Sequence, residues 1–122
     1  MAESIARLHA AVRIARERDP LLSRTAKLFS DGLPKMAKKV AEEAVEVGIE
    51  AIRGRRRATI AESADLIYNL VVLWSAMGIA PAEVWAELDR REALHGIAEK
   101  RPKDRSARRS KAAMAPEPAD AA

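Results

Sequence analysis

The stretch Glu62-Ser63-Ala64-Asp65-Leu66-Ile67-Tyr68-Asn69-Leu70-Val71-Val72-Leu73-Trp74-Ser75-Ala76-Met77 decides the fold. It opens with two carboxylates three residues apart and then turns apolar on nearly every side of a helix, with Gly78 suited to close it. The apolar run is short of the roughly 18 residues that a membrane span needs, and Asp65 and Asn69 interrupt it. A helix of this kind has to be covered all round, more than one thin layer of neighbours in a 122-residue chain supplies. The expectation is an all-α helical bundle of about five helices whose core is completed by dimerisation with a second copy.

Working outward, this helix is the fourth, from about Ala58 to Met77. Before it lies a third, from about Pro34 to Arg53, with an apolar stripe at Met36, Val40, Ala44, Val47 and Ala51. That helix ends at Gly54 in a basic turn, Arg55-Arg56-Arg57. Ser23 is placed to cap a short second helix through Phe29 that Gly32 closes, and Pro34 suits the first turn of the third. In the first helix Ile5, Leu8, Val12 and Ala15 recur at helical spacing, Ser4 reads as the N-cap, and Asp19-Pro20 ends the run. Pro81 opens a fifth helix through about Arg91, with Val84, Trp85 and Leu88 facing inward. Residues 1–102 therefore read as one domain. From Lys103 onward the composition shifts to Lys, Arg and Ser and then to Ala and Pro without apolar periodicity, which predicts a disordered C-terminal tail over 103–122.

Composition narrows the chemistry. The chain has no cysteine, so it has no disulfide framework, thiolate metal site or cysteine nucleophile, and His9 and His95 do not make a zinc site alone. Any metal is held by oxygen. Aromatic residues are limited to Phe29, Tyr68, Trp74 and Trp85, so base-stacking platforms are scarce. Of the net charge of +4, half lies in the tail, where five basic residues face three acidic ones, rather than on a basic face. No nucleic-acid partner and no membrane are expected. Met1 to Arg18 has no hydrophobic signal core, and the reading is a cytoplasmic protein.

The chemistry-bearing feature is Glu42-Glu43-Ala44-Val45-Glu46 on one helix and Glu62-Ser63-Ala64-Asp65 on the next. Residues three apart share a helix face and rise only about 4.5 Å, so Glu43 with Glu46, and Glu62 with Asp65, each form a pincer of oxygens. Glu50 and Asn69 continue the two faces four residues on. If the helices are antiparallel neighbours, the pincers face each other, and four converging carboxylates need protons or a cation. Mg²⁺ prefers such oxygen ligands at about 2.0–2.1 Å and keeps waters, leaving room for a phosphate substrate, and Mn²⁺ accepts similar ligands.

Plainer readings stand beside this one. A glutamate on an amphipathic helix is usually a solvated surface charge, which suits Glu42 or Glu50 taken alone. Thr59 to Glu62 also fits a capping box. Asp65 is harder to dismiss, since it opens the most apolar stretch, where an unpaired carboxylate is costly. Lys35, Lys38, Lys39 and Arg55 to Arg57 suit the phosphates of a polyanion or simple solubility. Lys39 stands out, four residues before Glu43 and on its face. Trp74, Trp85, Met36 and Met77 read as core, and His9 as a surface or packing residue.

Glu-Glu-x-x-Glu followed, after fifteen intervening residues, by Glu-x-x-Asp resembles the signature of the all-α NTP pyrophosphatase superfamily, and within it the phosphoribosyl-ATP pyrophosphatases of the second step of histidine biosynthesis. The matching stretches are Ser23-x-Thr25-Ala26-x-Leu28, Lys39 to Glu46, Glu62 to Leu73 and Gly96-Ile97-Ala98-Glu99-Lys100, spanning about Pro20 to Pro102. The resemblance implies a homodimeric hydrolase that splits the α,β phosphoanhydride of phosphoribosyl-ATP into phosphoribosyl-AMP and pyrophosphate. It implies Mg²⁺ held by Glu43, Glu46, Glu62 and Asp65, activating a water, with Glu42 as a supporting or water-orienting base. Lys39, Thr25, Asn69 and Lys100 are the implied substrate contacts, Glu99-Lys100 closing over the site. Three positions depart from the usual pattern: Arg24 replaces a tyrosine, Asn69 a histidine, and Leu94-His95 small residues. Asn69 retains hydrogen bonding but not the proton exchange of histidine near neutral pH. A diverged NTP pyrophosphatase of other substrate and a non-catalytic helical interaction module are the alternative readings.

Overall fold

In a computed structural model of the chain, residues 2–96 are described. They form five helices, α1 (Ala2–Ala15), α2 (Arg24–Asp31), α3 (Leu33–Ile52), α4 (Arg56–Ala76) and α5 (Pro81–His95), with no strand among the described residues. The all-α class is as expected. The expected tail over 103–122, and Glu99 and Lys100 before it, lie outside the described residues. The chain divides into two compact units, Met1–Val84 and Trp85–Ala122, with the division inside α5.

In the first unit, α3 and α4 pair most extensively, α1 packs on α4, and α2 on α3 and more lightly on α1. Ile5, Val12, Ala26, Leu28, Met36, Val71 and Val72 are the buried apolar residues, with Val71 and Val72 sealed at 0% and 1% exposure. Ile5 and Val12 come from the apolar positions read in the first helix. Ser4 is not its N-cap. The helix already begins at Ala2, and the Ser4 hydroxyl accepts a hydrogen bond from Arg7 at 3.1 Å. The helix also stops at Ala15 instead of running to Asp19. Shorter backbone bonds, Glu17 N–H to Ile14 and Arg18 N–H to Ala15, tighten its last turn, and the Asp19 carboxylate accepts from Leu21 N–H at 2.9 Å to make a turn before α2.

Ser23 caps α2 as read, its hydroxyl accepting from Ala26 N–H at 3.1 Å while its own backbone is extended. Gly32, at φ 97°, ends α2 with its N–H donated to Leu28, and Pro34 sits in the first turn of α3. This left-handed turn needs glycine and lets the two helices meet without a linker. The turn from α3 to α4 uses Gly54 at φ 71° in the same way. It is short enough to leave the two long helices antiparallel neighbours.

The apolar stripe expected on α3 is only partly covered. Met36 is buried and Val40 and Val47 half-buried, but Ala44 and Ala51 are exposed. Val45, Ile49 and Ile52 face outward at 59%, 38% and 89% exposure, and Ile60 and Ile67 of α4 at 54% and 36%. Among the described residues the hairpin has packing partners on one side, so the periodicity overstated burial.

Of the second unit, the described residues are the last part of α5 and Gly96. Leu88, expected to face inward, is 44% exposed, since no other described element of that unit lies against it. Glu87 is bound by Arg90 at 2.6 Å and Arg91 at 2.9 Å, and these hydrogen bonds hold its carboxyl down to about 2. Among the described residues no single helix is long and apolar enough to cross a membrane.

Replacing Ser23 by Ala leaves the Ala26 N–H without its side-chain acceptor. A loss of about 1 kcal/mol in unfolding free energy is expected, and Ser23→Asp should restore most of it. Chemical denaturation of the three proteins measures both.

Candidate active site

The antiparallel pairing of α3 and α4 brings the two acidic motifs to one place. Glu43 from α3 and Glu62 and Asp65 from α4 each present a carboxylate oxygen, and the three oxygens lie within 4.8 Å of one another. Glu43 is largely enclosed, its side chain 12% exposed, and Glu62 is half-buried, whereas Asp65 opens to solvent. Glu46 does not join this set of three. It lies near enough to act on Glu62 through its charge.

Glu62 registers the crowding. Its carboxyl is held above the ordinary 4.5, first because the protonated acid donates a hydrogen bond to Glu43, then by desolvation, then by repulsion from Glu43, Asp65 and Glu46. Nor is Glu62 a capping residue. α4 starts at Arg56, so Thr59 is already helical, and its hydroxyl donates to the Arg55 carbonyl at 2.7 Å.

The surrounding residues fall into two groups. Lys39 stands 3.7 Å from both Glu42 and Glu43, a cation on the cluster's α3 side, while Glu42 itself is 49% exposed. Lys35 and Lys38 are exposed and make no ion pair among the described residues. Arg55 turns toward α3: it and Arg53 approach Glu50 at 4.0 and 3.8 Å. One oxygen of Glu50 is buried with no hydrogen bond, so this residue is a paired, largely enclosed charge and not a solvated one.

On the α4 side, Asn69 is buried at 2% exposure, and its amide donates to the Asp65 carbonyl at 2.9 Å. Thr25 is likewise enclosed, sharing a 2.7 Å hydrogen bond with the Tyr68 hydroxyl. Sequence reasoning gave Tyr68 no role, although its place three residues after Asp65 puts it beside the acidic face. The Arg24 guanidinium lies over its ring, 5.8 Å from the centroid, so the residue that departs from the usual tyrosine sets a cation there instead.

An all-oxygen donor set with closely spaced carboxylates suits a hard divalent cation and suits neither a soft metal nor a redox cluster. The raised proton affinity of Glu62 fits the same conclusion, since crowding that favours a proton also favours a cation.

Residues 5–92 match the model of the family described as phosphoribosyl-ATP pyrophosphohydrolase. The chain is 61% identical over 105 residues to phosphoribosyl-ATP pyrophosphatase 2 of Rhodopseudomonas palustris, an alignment covering 86% of this chain and 80% of the relative. It is 56% identical to the protein of the same name from Bradyrhizobium diazoefficiens, over 84% of this chain and 77% of the relative. Phosphoribosyl-ATP pyrophosphatase of Rhizorhabdus wittichii is 46% identical over 84% of this chain and 99% of its own length.

Because the folded state binds the Glu62 proton more tightly than the unfolded chain, stability from this group is full below about pH 4.5 and is lost as pH rises through the raised value. In metal-free protein, Glu62→Gln should therefore melt above wild type at pH 7, with the gap narrowing toward pH 4. Added Mg²⁺ should raise the wild-type melting temperature at pH 7 and leave the variant's nearly unchanged. Thermal unfolding by circular dichroism across this range tests both, and identical pH profiles for the two proteins would contradict the crowding.

Proposed function

The chain belongs to the phosphoribosyl-ATP pyrophosphohydrolase family, and from that premise we propose that it hydrolyses the α,β phosphoanhydride of phosphoribosyl-ATP to phosphoribosyl-AMP and pyrophosphate, a step of histidine biosynthesis. The observation that carries the reading is the convergence of Glu43, Glu62 and Asp65 on one point between α3 and α4, in the motif that the resemblance assigns to metal binding. Names shared by relatives at 46–61% identity support the substrate.

Glu43, Glu62 and Asp65 would hold Mg²⁺ or Mn²⁺, with Glu46 as the fourth carboxylate drawn from the next turn of α3. Such a cation, when bound, supplies positive charge against the triphosphate and Lewis acidity toward the attacking water. The chain's own residues do the rest. Lys39, tethered between Glu42 and Glu43, is placed to meet a phosphate oxygen at the edge of the acidic cluster. Glu42, exposed beside it, keeps Lys39 in position and accepts a proton from a water that approaches from solvent. Arg24 supplies a second fixed cation over Tyr68, and the Thr25 hydroxyl acts by holding the Tyr68 phenol in place. Asn69 braces the Asp65 turn from the core. Lys100 remains a proposed phosphate contact on the resemblance alone.

The outward apolar row of Val45, Ile49 and Ile52 on α3, continued by Ile60 and Ile67 on α4, supports a homodimer formed hairpin to hairpin, in the cytoplasm. These residues recur three, four and seven apart, as expected for helices packing along their length.

Pyrophosphate release from phosphoribosyl-ATP with Mg²⁺ tests the reaction directly. Glu43→Gln and Asp65→Asn should each lower turnover by at least about 100-fold, the scale of losing one electrostatic partner of a reacting centre. Removal of residues 103–122 should leave turnover within a few-fold. Release from a panel of other nucleoside triphosphates but none from phosphoribosyl-ATP would overturn the substrate, and equal loss in the truncated chain would overturn the site. Ile49→Asp should shift the protein toward monomer in sedimentation analysis.

A further inference from the structure

A second pocket, with cationic side chains on its wall, lies well away from the carboxylates. α1 and the end of α4 border a half-open pocket of about 330 Å³ lined by His9, Arg13, Arg16 and Ser75, with the 78–80 turn as its remaining wall. His9, Arg13 and Arg16 are four and three residues apart, so they follow one face of α1 into the turn beyond it. No carboxylate lines the cavity. Neither arginine forms an ion pair among the described residues; Arg16 is steadied over the Phe29 ring, 4.2 Å from its centroid, which leaves the edge of its guanidinium available.

Ser75 is the telling residue. It is 7% exposed in the last turn of α4, and although its carbonyl accepts from Gly78 N–H at 3.1 Å, its hydroxyl makes no hydrogen bond among the described residues. Ser63 of the same helix donates to the carbonyl four residues back, the usual way for a helical serine to satisfy itself. Ser75 keeps its hydroxyl for the cavity. A hydroxyl without a protein partner, beside an imidazole and two guanidinium groups that make no ion pair, is a site rich in donors with no carboxylate to meet them.

We propose that this cavity binds a phosphoryl group carried by a small molecule. Two permanent positive charges match a dianion, and two forked guanidiniums, a hydroxyl and an imidazole outnumber the oxygens of a single carboxylate while suiting the terminal oxygens of a phosphate. The volume is at the small end of ligand pockets, enough for pyrophosphate or a sugar phosphate. Ser75 is thirteen residues beyond Glu62 on α4, about 20 Å along the axis, so the ligand is separate from the acidic site.

Titration calorimetry of the full chain in divalent-free, low-salt buffer at pH 7 tests the proposal, with inorganic pyrophosphate, ribose 5-phosphate and inorganic phosphate as probes. Without a cation the carboxylates repel all three, so the measurement is independent of the hydrolytic reading. Saturable binding is expected, weakened at least about 10-fold in the Arg13→Gln/Arg16→Gln double variant and a few-fold in Ser75→Ala, but unchanged in Glu62→Gln. The His9 imidazole resonances should move along the same isotherm. Preference for pyrophosphate would make the ligand the released product, and preference for ribose 5-phosphate a phosphomonoester; either supports the site. No saturable binding of any probe, or equal affinity in the double variant, would overturn it. The two arginines are exposed, so their replacement leaves the fold intact, as circular dichroism will verify.

Discussion

Carboxylates that repel one another are held together here by helices that cannot move apart, and the rest of the molecule follows from that constraint. Glu43, Glu62 and Asp65 converge because α3 and α4 are locked antiparallel by a turn with one left-handed glycine and by the sealed contacts of Val71 and Val72 farther along. The energy for holding like charges close comes from apolar packing of this kind, which on α4 begins within two turns of Asp65. Lys39 offsets part of the repulsion at 3.7 Å, and the remainder appears as the raised proton affinity of Glu62. A site with this residual demand for positive charge is prepared for a cation, and through it for phosphates.

The same hairpin carries a second imbalance, of apolar surface. Its inner side meets α1 and α2, while Val45, Ile49, Ile52, Ile60 and Ile67 face outward. Surface of this extent on helices already rich in charge is costly to leave in water, and a second hairpin would cover it without new secondary structure. The carboxylates lie on the same two helices as this row, so whatever covers the row also fixes the rigidity of the site.

What the sequence made legible was local. The Ser23 cap, the closing glycines, the proline in the first turn of α3 and the acidic spacing on two consecutive helices each follow from contacts within a few residues. What stayed hidden depends on partners distant in the chain. Ser4 looks like a cap, yet α1 begins before it. The α3 stripe counted apolar positions without knowing that only one side is covered. Glu50 read as surface charge because its enclosure depends on how the turn folds Arg53 and Arg55 back over it. Tyr68 gained a role only when α2 brought Thr25 and Arg24 to it. The Ser75 cavity was hidden for the same reason, since its donors come from the first and fourth helices.

α4 therefore serves as a rod that carries acidic side chains in its first half and meets cationic side chains of the first helix and the turn after it at its C-terminal end. Glu62 and Asp65 lie in its second and third turns, and Ser75 in its last turn meets the pocket of Arg13 and Arg16. Their separation of about 20 Å exceeds the screening length of about 8 Å at physiological salt, so neither end feels the other's field appreciably. Charge placed in the cationic cavity cannot alter the carboxylates by Coulomb forces through solvent. Any communication has to be mechanical, through a shift or stiffening of α4 against α1, where Ile5 and Val12 pack beneath the same face that carries His9 and Arg16. Sealed side chains of that kind move as a unit or not at all, and this makes α4, with no loop between the two ends, the one element both sites can bias.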